Sequence, residues 1–408
     1  MERQRSARAQ HREAVLALLH RGQELTRGEI SEQLGLTRST VSEVLASLRA
    51  EGILDVNPSA PRGGRGRPAE VLRIHPGAVR TIGLDFSHSA VTVCLANSAG
   101  DVVASGVTPY PLSTGWETRV RHGVDLVRSL CSADVHLGEL AGIGIGLPGP
   151  NSASWEGFHR VDAPTEPFHL VRARIREVFG EQFNAPVLVD HHIRFAAMQE
   201  AVTLEGADRS LVYLRLSTGV GGAVVGGRVA LRGSNLLAGE IGHMVVDRSE
   251  TASTCRCGRC GCLETLVSRD VVQERWRAIA GSGHDLGTLQ AALEAADPAA
   301  TALITEIAQT VGHVVGVAAL VTDPDEVVIA GEVGVLLTSA LPTLQGAVAK
   351  EVLTDADLTI RIATVDHEQG ARGAITAVRT ADHLSDFYRD SPTRPERVPD
   401  HAGGLSVN

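Results

Sequence analysis

Gly239-Glu-Ile-Gly-His243 is followed, twelve residues after its histidine, by Cys255-Arg-Cys-Gly-Arg-Cys-Gly-Cys262-Leu-Glu264. One imidazole and four thiols in so short a span supply the donors that a tetrahedral zinc site requires. Four of the six cysteines in the chain fall within these eight positions, a spacing poorly suited to a disulfide framework. Cys94, in an alternating apolar segment, and Cys131, after an expected helix, read as inert core thiols. Spacing alone leaves a set of four thiolates, including Cys260, open beside the His243 set.

The segments around this stretch repeat in outline. Residues 211–231 read as three strands (LVYLRL, GAVV, RVAL) with a Gly226-Gly227 turn, and residues 81–107 as three more (TIGLD, AVTVCLA, VVASGV) with a turn at Asn97–Gly100. Each triplet leads into helix-and-strand alternation, with further strands at Gly142–Ile145, Val187–Val189, Glu326–Ala330 and Thr359–Val365. Two related α/β lobes around a cleft follow.

The N-terminal part is built differently. Residues 11–20 have an apolar helical face, Thr26 and Glu29 form a capping box for a helix ended by Gly35, and Thr37 caps a third helix with Val41, Leu45 and Leu48 on one face. A strand from Ile53 to Val56, a basic run at residues 58–68 and a strand around Val71, Leu72 and Ile74 make a wing. Pro76-Gly77 marks the domain boundary. Residues 1–75 hold 12 Arg against 9 Asp and Glu, a balance of +3, so the rest carries −13 of the net −10. Only the N-terminal domain suits a polyanion. Thr37, Arg38, Ser39, Thr40 and Ser42 are placed to read a major groove of double-stranded operator DNA, and Arg62, Arg65 and Arg67 to enter a minor groove. A helical docking bundle and a flexible basic linker are the plainer alternatives. The charged start and the lack of a run of roughly 20 apolar residues point to a cytoplasmic chain with no membrane role.

The pairing of G-E-x-G-H with C-x-C-G-x-x-G-C-L-E closely resembles the ROK (repressor, ORF, kinase) family, and the winged helix with its G-R-G-R-P run resembles the regulator branch of that family. The resemblance covers nearly the whole chain. It implies an α/β protein: an N-terminal winged helix-turn-helix over residues 1–77, then the two-lobed actin-like, ribonuclease H-like ATPase fold of sugar kinases. The first lobe spans 78–200 with a C-terminal helix at 370–385 packing back on it, the second lobe spans 201–369 with the zinc site, and 386–408 is a disordered tail. It also implies His243, Cys255, Cys257 and Cys262 as ligands of a structural Zn2+, with Cys260 at a variable position. Glu240, His243 and Glu264 match residues that bind sugar hydroxyls. A homodimer or homotetramer is expected.

The chain departs from the kinases of that family at three places. The family's D-x-G-G-T is Asp85-Phe-Ser87-His88-Ser89, its later G-G-G is Ala330-Gly331-Glu332, and its E-N-D is Asp190-His191-His192, which puts His192 at the catalytic aspartate. The second glycine hairpin, residues 217–222, keeps the pattern. The P-N-L-x-G-W loop is replaced by Ala163-Pro-Thr-Glu-Pro-Phe168. His191 and His192 join the candidate sugar-binding residues. The expected function is DNA-binding regulation of carbohydrate-related genes, typically as a repressor, answering to a sugar or sugar phosphate and without kinase activity. An active sugar kinase, a regulator controlled by a protein partner and a zinc-stabilised scaffold are the rivals.

Overall fold

A computed structural model describes residues 11–50 apart from 13, 17 and 20–24, then 53–58, 70–75, 78–149 apart from 133 and 134, 168–227 apart from 205, 207 and 208, 229–353 and 358–380. The expected wing tip with Arg62, Arg65 and Arg67, residues 150–167 and the expected tail at 386–408 lie outside the described residues.

The N-terminal domain opens with α1, helical at residues 11, 12, 14–16, 18 and 19. There follow β1 (Leu25–Thr26), α2 (Arg27–Leu34), α3 (Arg38–Ala50), β2 (Leu54–Pro58) and β3 (Glu70–Ile74), with the strands in antiparallel order β1-β3-β2. Its local signals are those of the sequence. Thr26 and Glu29 form the capping box, Gly35 takes the left-handed conformation at φ 62°, and the Thr37 hydroxyl accepts from the Thr40 amide at 3.2 Å. Val15, Leu16, Ile30, Val41, Leu45, Leu48 and Leu72 close one core. The chain leaves this domain along the first lobe: the His75 amide donates to the Ile53 carbonyl at 2.8 Å, and its ring lies 5.2 Å from that of His136.

The first lobe holds β4 (Ala78–Phe86), β5 (Ala90–Ala96), β6 (Val102–Pro109), α4 (Trp116–Ser129), β7 (His136–Leu147), α5 (Phe168–Phe183), β8 (Val187–His191) and α6 (His192–Val202). Its sheet runs β6-β5-β4-β7-β8, antiparallel in the first three strands and parallel through β4, β7 and β8. The second lobe repeats the plan with β9 (Ser210–Leu216), β10 (Val220–Gly226), β11 (Val229–Ala230), α7 (Glu264–Val267), α8 (Arg269–Ala280), α9 (Leu286–Glu294), α10 (Pro298–Thr322), β12 (Glu326–Ala330), α11 (Glu332–Leu336), α12 (Leu341–Val348) and β13 (Thr359–Ile362). Its order is β11-β10-β9-β12-β13, with β9, β12 and β13 parallel. The architecture is the winged helix plus two mixed-sheet lobes that the resemblance implies.

The last described helix, α13 (Gln369–Thr380), packs on β4, β7 and α6 of the first lobe. Glycines permit the approach: a Cβ on Gly83 would lie 2.0 Å from the Ala371 carbonyl oxygen, and one on Gly373 would lie 1.8 Å from that of Phe195. Cys94 is enclosed here with Ala371 and Ile375, and burial pushes its thiol up to about 12. By length and composition alone α10 is apolar enough to cross a membrane. Thr, Glu, Gln and His residues interrupt its apolar run, so no unbroken stretch of about 20 apolar residues occurs in it. Half of its most apolar stretch is buried, with Leu303, Ile304, Ile307, Val311 and Val315 in the core of the second lobe.

Candidate functional site

His243, Cys255, Cys257 and Cys262 converge so that their donor atoms lie within 4.8 Å of one another. The loop is shaped for this. Cys255 and Arg259 close a tight knuckle (Cys255 N to Arg259 O, 2.7 Å), and Gly261 at φ 72° faces the Asp247 carbonyl oxygen, which a Cβ would approach to 1.7 Å. Cys257 Sγ lies 3.6 Å from Cys262 Sγ, and Cys255 Sγ lies 3.5 Å from His243 Nδ1. Donors about 2.0–2.3 Å from one zinc ion at tetrahedral angles stand roughly 3.5–3.8 Å apart, so this set fits the ion. Cys260 is exposed, with its Sγ 3.7 Å from the Thr254 hydroxyl, and is not a member of the set.

Beside this centre a cavity of about 370 Å³ lies between the lobes. The first lobe contributes Asp85, His191 and His192 to its wall, and the second contributes Arg215, Glu240, His243 and Arg256. His191 and His192 sit where β8 passes into α6, so both side chains are delivered to the sheet's carboxyl end, where ligand crevices of α/β folds lie. Glu264 does not face the cavity. Its Oε2 is held by Arg256 Nη2 at 2.6 Å and by the Val220 amide at 3.0 Å. Burial raises Glu240 to about 7, with Arg194 and Arg256 opposing the rise.

The positions that differ from the kinase pattern have definite partners. His192 Nδ1 lies 3.1 Å from Asp85 Oδ1, both side chains being nearly enclosed. The Ser87 hydroxyl donates to the Ala90 carbonyl at 3.0 Å and accepts from the Ala90 amide at 3.1 Å and the Ser89 amide at 3.4 Å. It thus takes two amides that an open glycine turn would leave for phosphate. At the second hairpin, a Cβ on Gly219 would lie 2.7 Å from Arg256 Nη2, so the bare backbone makes room for a guanidinium. At the later position Gly331 has φ 91° and abuts the Leu216 carbonyl oxygen, and Glu332 opens α11.

A buried charge cluster braces this wall from behind. Asp190 Oδ1 accepts from Arg194 Nη1 at 2.7 Å, and its Oδ2 accepts from Arg232 Nε at 2.8 Å. Burial alone would raise the Asp190 carboxyl, but the two guanidinium groups and the His191 amide outweigh it and hold it below the usual range. Burial pushes the His191 imidazole well below its ordinary value, assisted by His192, Arg194, Arg256 and Arg215. Arg194, Arg215, Arg232 and Arg256 were not anticipated from sequence. The one available signal was Arg215, a lone charge in an alternating apolar strand.

On the N-terminal domain, Thr37, Arg38 and Ser39 are exposed at the start of α3, and Thr40 and Ser42 are half-buried. The Thr37 hydroxyl lies 2.9 Å from both Ser39 Oγ and Thr40 Oγ1. Arg38 faces solvent beside this hydroxyl cluster, while Val41, Leu45 and Leu48 seat the helix.

Comparison with known proteins adds six findings. The model of the ROK family matches residues 81–381, and that of the MarR family matches residues 13–66. The chain is 26% identical over 388 residues to the DNA-binding transcriptional dual regulator NagC of Escherichia coli K12, covering 90% of this chain and 92% of that one. It is 28% identical over 247 residues to a xylose repressor of Caldicellulosiruptor bescii, covering only 60% of each chain, and 28% identical over 312 residues to a glucokinase of Halalkalibacterium halodurans, covering 72% of this chain and 92% of that one. A solved ROK family transcriptional regulator, described as a homolog of the E. coli MLC protein, shares the fold at a TM-score of 0.66 and 18% identity, over 91% of this chain and 96% of that one.

Proposed function

Since this chain belongs to the ROK family and carries a winged helix-turn-helix ahead of the family domain, we propose that it is a transcription regulator that binds duplex DNA, answers to a carbohydrate or carbohydrate phosphate, and transfers no phosphoryl group. The observation that carries this reading is the Asp85–His192 contact. A sugar kinase needs a free carboxylate aligned with one hydroxyl and an open phosphate cradle. Here the base position is an imidazole turned toward Asp85, and Ser87 and Arg256 occupy the two glycine hairpins.

In this reading Thr37, Arg38, Ser39, Thr40 and Ser42 contact base edges and phosphates in a major groove, and Arg62, Arg65 and Arg67 follow the backbone or the minor groove. Two half-sites about one helical turn apart call for a homodimer or homotetramer. His243, Cys255, Cys257 and Cys262 hold zinc. With four protein donors such an ion has no open position and supplies fold stability to the loop that carries Glu240 and Arg256. Glu240, His191 and His192 contact the effector in the cleft, and Glu264 acts from behind, through Arg256 and the Val220 amide. The effector changes DNA binding through unequal affinity for two arrangements of the winged helices. Strand β7 offers a mechanical path, running from His136, at the domain junction, to Leu147, which pairs with His191 in the cleft wall. The setting is cytoplasmic, and the regulated genes belong to carbohydrate use.

The test is genomic footprinting with the full chain, followed by mobility shifts on the recovered site with and without sugars, alongside an assay of ATP consumption. Specific DNA retardation altered by a carbohydrate, with no sugar-dependent ADP, is expected. Rapid sugar-dependent ATP turnover overturns the reading.

A further inference from the structure

Arg215 is out of place by the ordinary rules of a strand interior. On β9 its side chain falls in the same row as Leu211 and Tyr213, which are fully buried, and it is itself half-buried. Its neighbours across the sheet are Gly221 on β10 and Ala330 on β12, so no large side chain flanks it on either side. Among the described residues it has no hydrogen-bond or ion-pair partner, although it lines the inter-lobe cavity. Withdrawing a guanidinium from water without a counter-charge is unfavourable. The fold keeps it there and leaves space in front of it.

Two further guanidinium groups line the cavity with it. Arg256 reaches the same cavity with its guanidinium fixed by Glu264 at 2.6 Å, and Arg269 lines the same wall. His191, on the facing lobe, lies within electrostatic reach of Arg215, Arg256 and Arg194. Three carboxylates also line the cavity. Asp85 is committed to His192, Glu240 stands at the turn before His243, and Glu332 has a buried Oε2 without a hydrogen-bond partner. Glu332 is therefore suited to accept from a hydroxyl. An uncommitted planar cation with an uncommitted acceptor in one cleft calls for a ligand with an anionic end and a hydroxylated body.

We propose that the cleft selects an anionic carbohydrate, with Arg215 binding its carboxylate or phosphate and Arg256 as a second, pre-oriented cation. A guanidinium suits either group because its two parallel N–H bonds match their oxygen spacing. The inference rests on the reading of the cleft as an effector site.

Calorimetric titration of the full-length, zinc-loaded protein tests it, with glucose, glucuronate, glucose 6-phosphate and inorganic phosphate as probes. At least one anion is expected to bind about tenfold or more tightly than glucose, and Arg215→Gln to weaken that anion by about tenfold or more, the usual scale of a lost charged hydrogen bond. Preference for glucuronate assigns a carboxylate, and preference for glucose 6-phosphate or phosphate assigns a phosphate. Arg215→Lys guards against misfolding of the Gln variant, since it keeps charge and stem and is expected to retain part of the affinity. Equal binding of anions and glucose, no anion binding at all, or unchanged anion affinity in a folded Arg215→Gln protein overturns the proposal. Release of operator DNA by glucose but by none of the anions overturns it too, while leaving the regulator reading intact. Failure to bind any genomic DNA strikes the regulator reading and not the titration.

Discussion

His192 Nδ1 and Asp85 Oδ1 are 3.1 Å apart, with side-chain exposures of 11% and 6%. The imidazole at the kinase base position is thereby anchored, and the carboxylate of the first hairpin is occupied. Asp85 is also pressed against the first turn of α13, where a Cβ on Gly370 would lie 2.1 Å from its Oδ2.

The protein is accordingly expected to give no sugar-dependent ADP with glucose, N-acetylglucosamine or N-acetylmannosamine in a coupled assay. His192→Asp is expected not to create activity, because Ser87 still holds the Ser89 and Ala90 amides. It would place two carboxylates in contact, lowering stability by roughly 1–3 kcal/mol in thermal denaturation. Sugar-dependent turnover in either protein would count against the argument.

Zinc removal is expected to loosen the second lobe. Cys262→Ser and His243→Ala should bind less than stoichiometric metal by elemental analysis. Each should lower the Tm by about 6–12 °C, the equivalent of roughly 3 kcal/mol in a domain of this size. Cys260→Ser, outside the set, should leave both values unchanged. Equal zinc content in all three variants would reject the assigned ligands.

On the DNA side, Arg38→Ala is expected to weaken specific operator binding by about 1–3 kcal/mol and to relax sequence preference. Arg65→Ala with Arg67→Ala should weaken all sequences alike and flatten the dependence of affinity on salt. Fluorescence anisotropy at several salt concentrations separates the two effects. Identical salt slopes in wild type and the double variant would remove the wing from the interface.

Stability should also fall as pH falls below about 6.5, the ordinary histidine value. His191 is kept neutral in the folded protein by burial, with His192, Arg194, Arg256 and Arg215 adding repulsion. The unfolded chain therefore takes up a proton that the folded one refuses, and folding weakens by up to about 1.4 kcal/mol per pH unit below that point. His191→Asn should shallow this slope in urea unfolding at pH 8.0 and pH 5.5. An unchanged slope would show that other groups set it.

The features legible in sequence are those written in neighbouring residues. The Thr26–Glu29 cap, the Gly35 stop and the knot of cysteines after His243 each depend on positions a few residues apart. The three departures from the kinase pattern were visible because motifs are contiguous. The arginines in and behind the cleft wall were not, since Arg194 lies on α6, Arg215 on β9, and Arg232 and Arg256 in loops, and arginines read singly as surface residues. Glu264 matches a sugar-binding residue only by family resemblance, whereas here its carboxylate turns to Arg256 and the Val220 amide. Its orientation depends on Arg256, eight residues before it, folding across Gly219.

The docking of α13 against the first lobe sets an order for biosynthesis. A ribosome finishes the winged helix early, but the sheet it adds next keeps one side uncovered until the whole second lobe has been translated. Over that interval Cys94 and its neighbours lie open to oxidants and to chaperones, and a chain cut short before Gln369 carries its winged helix on a first lobe that lacks this cover.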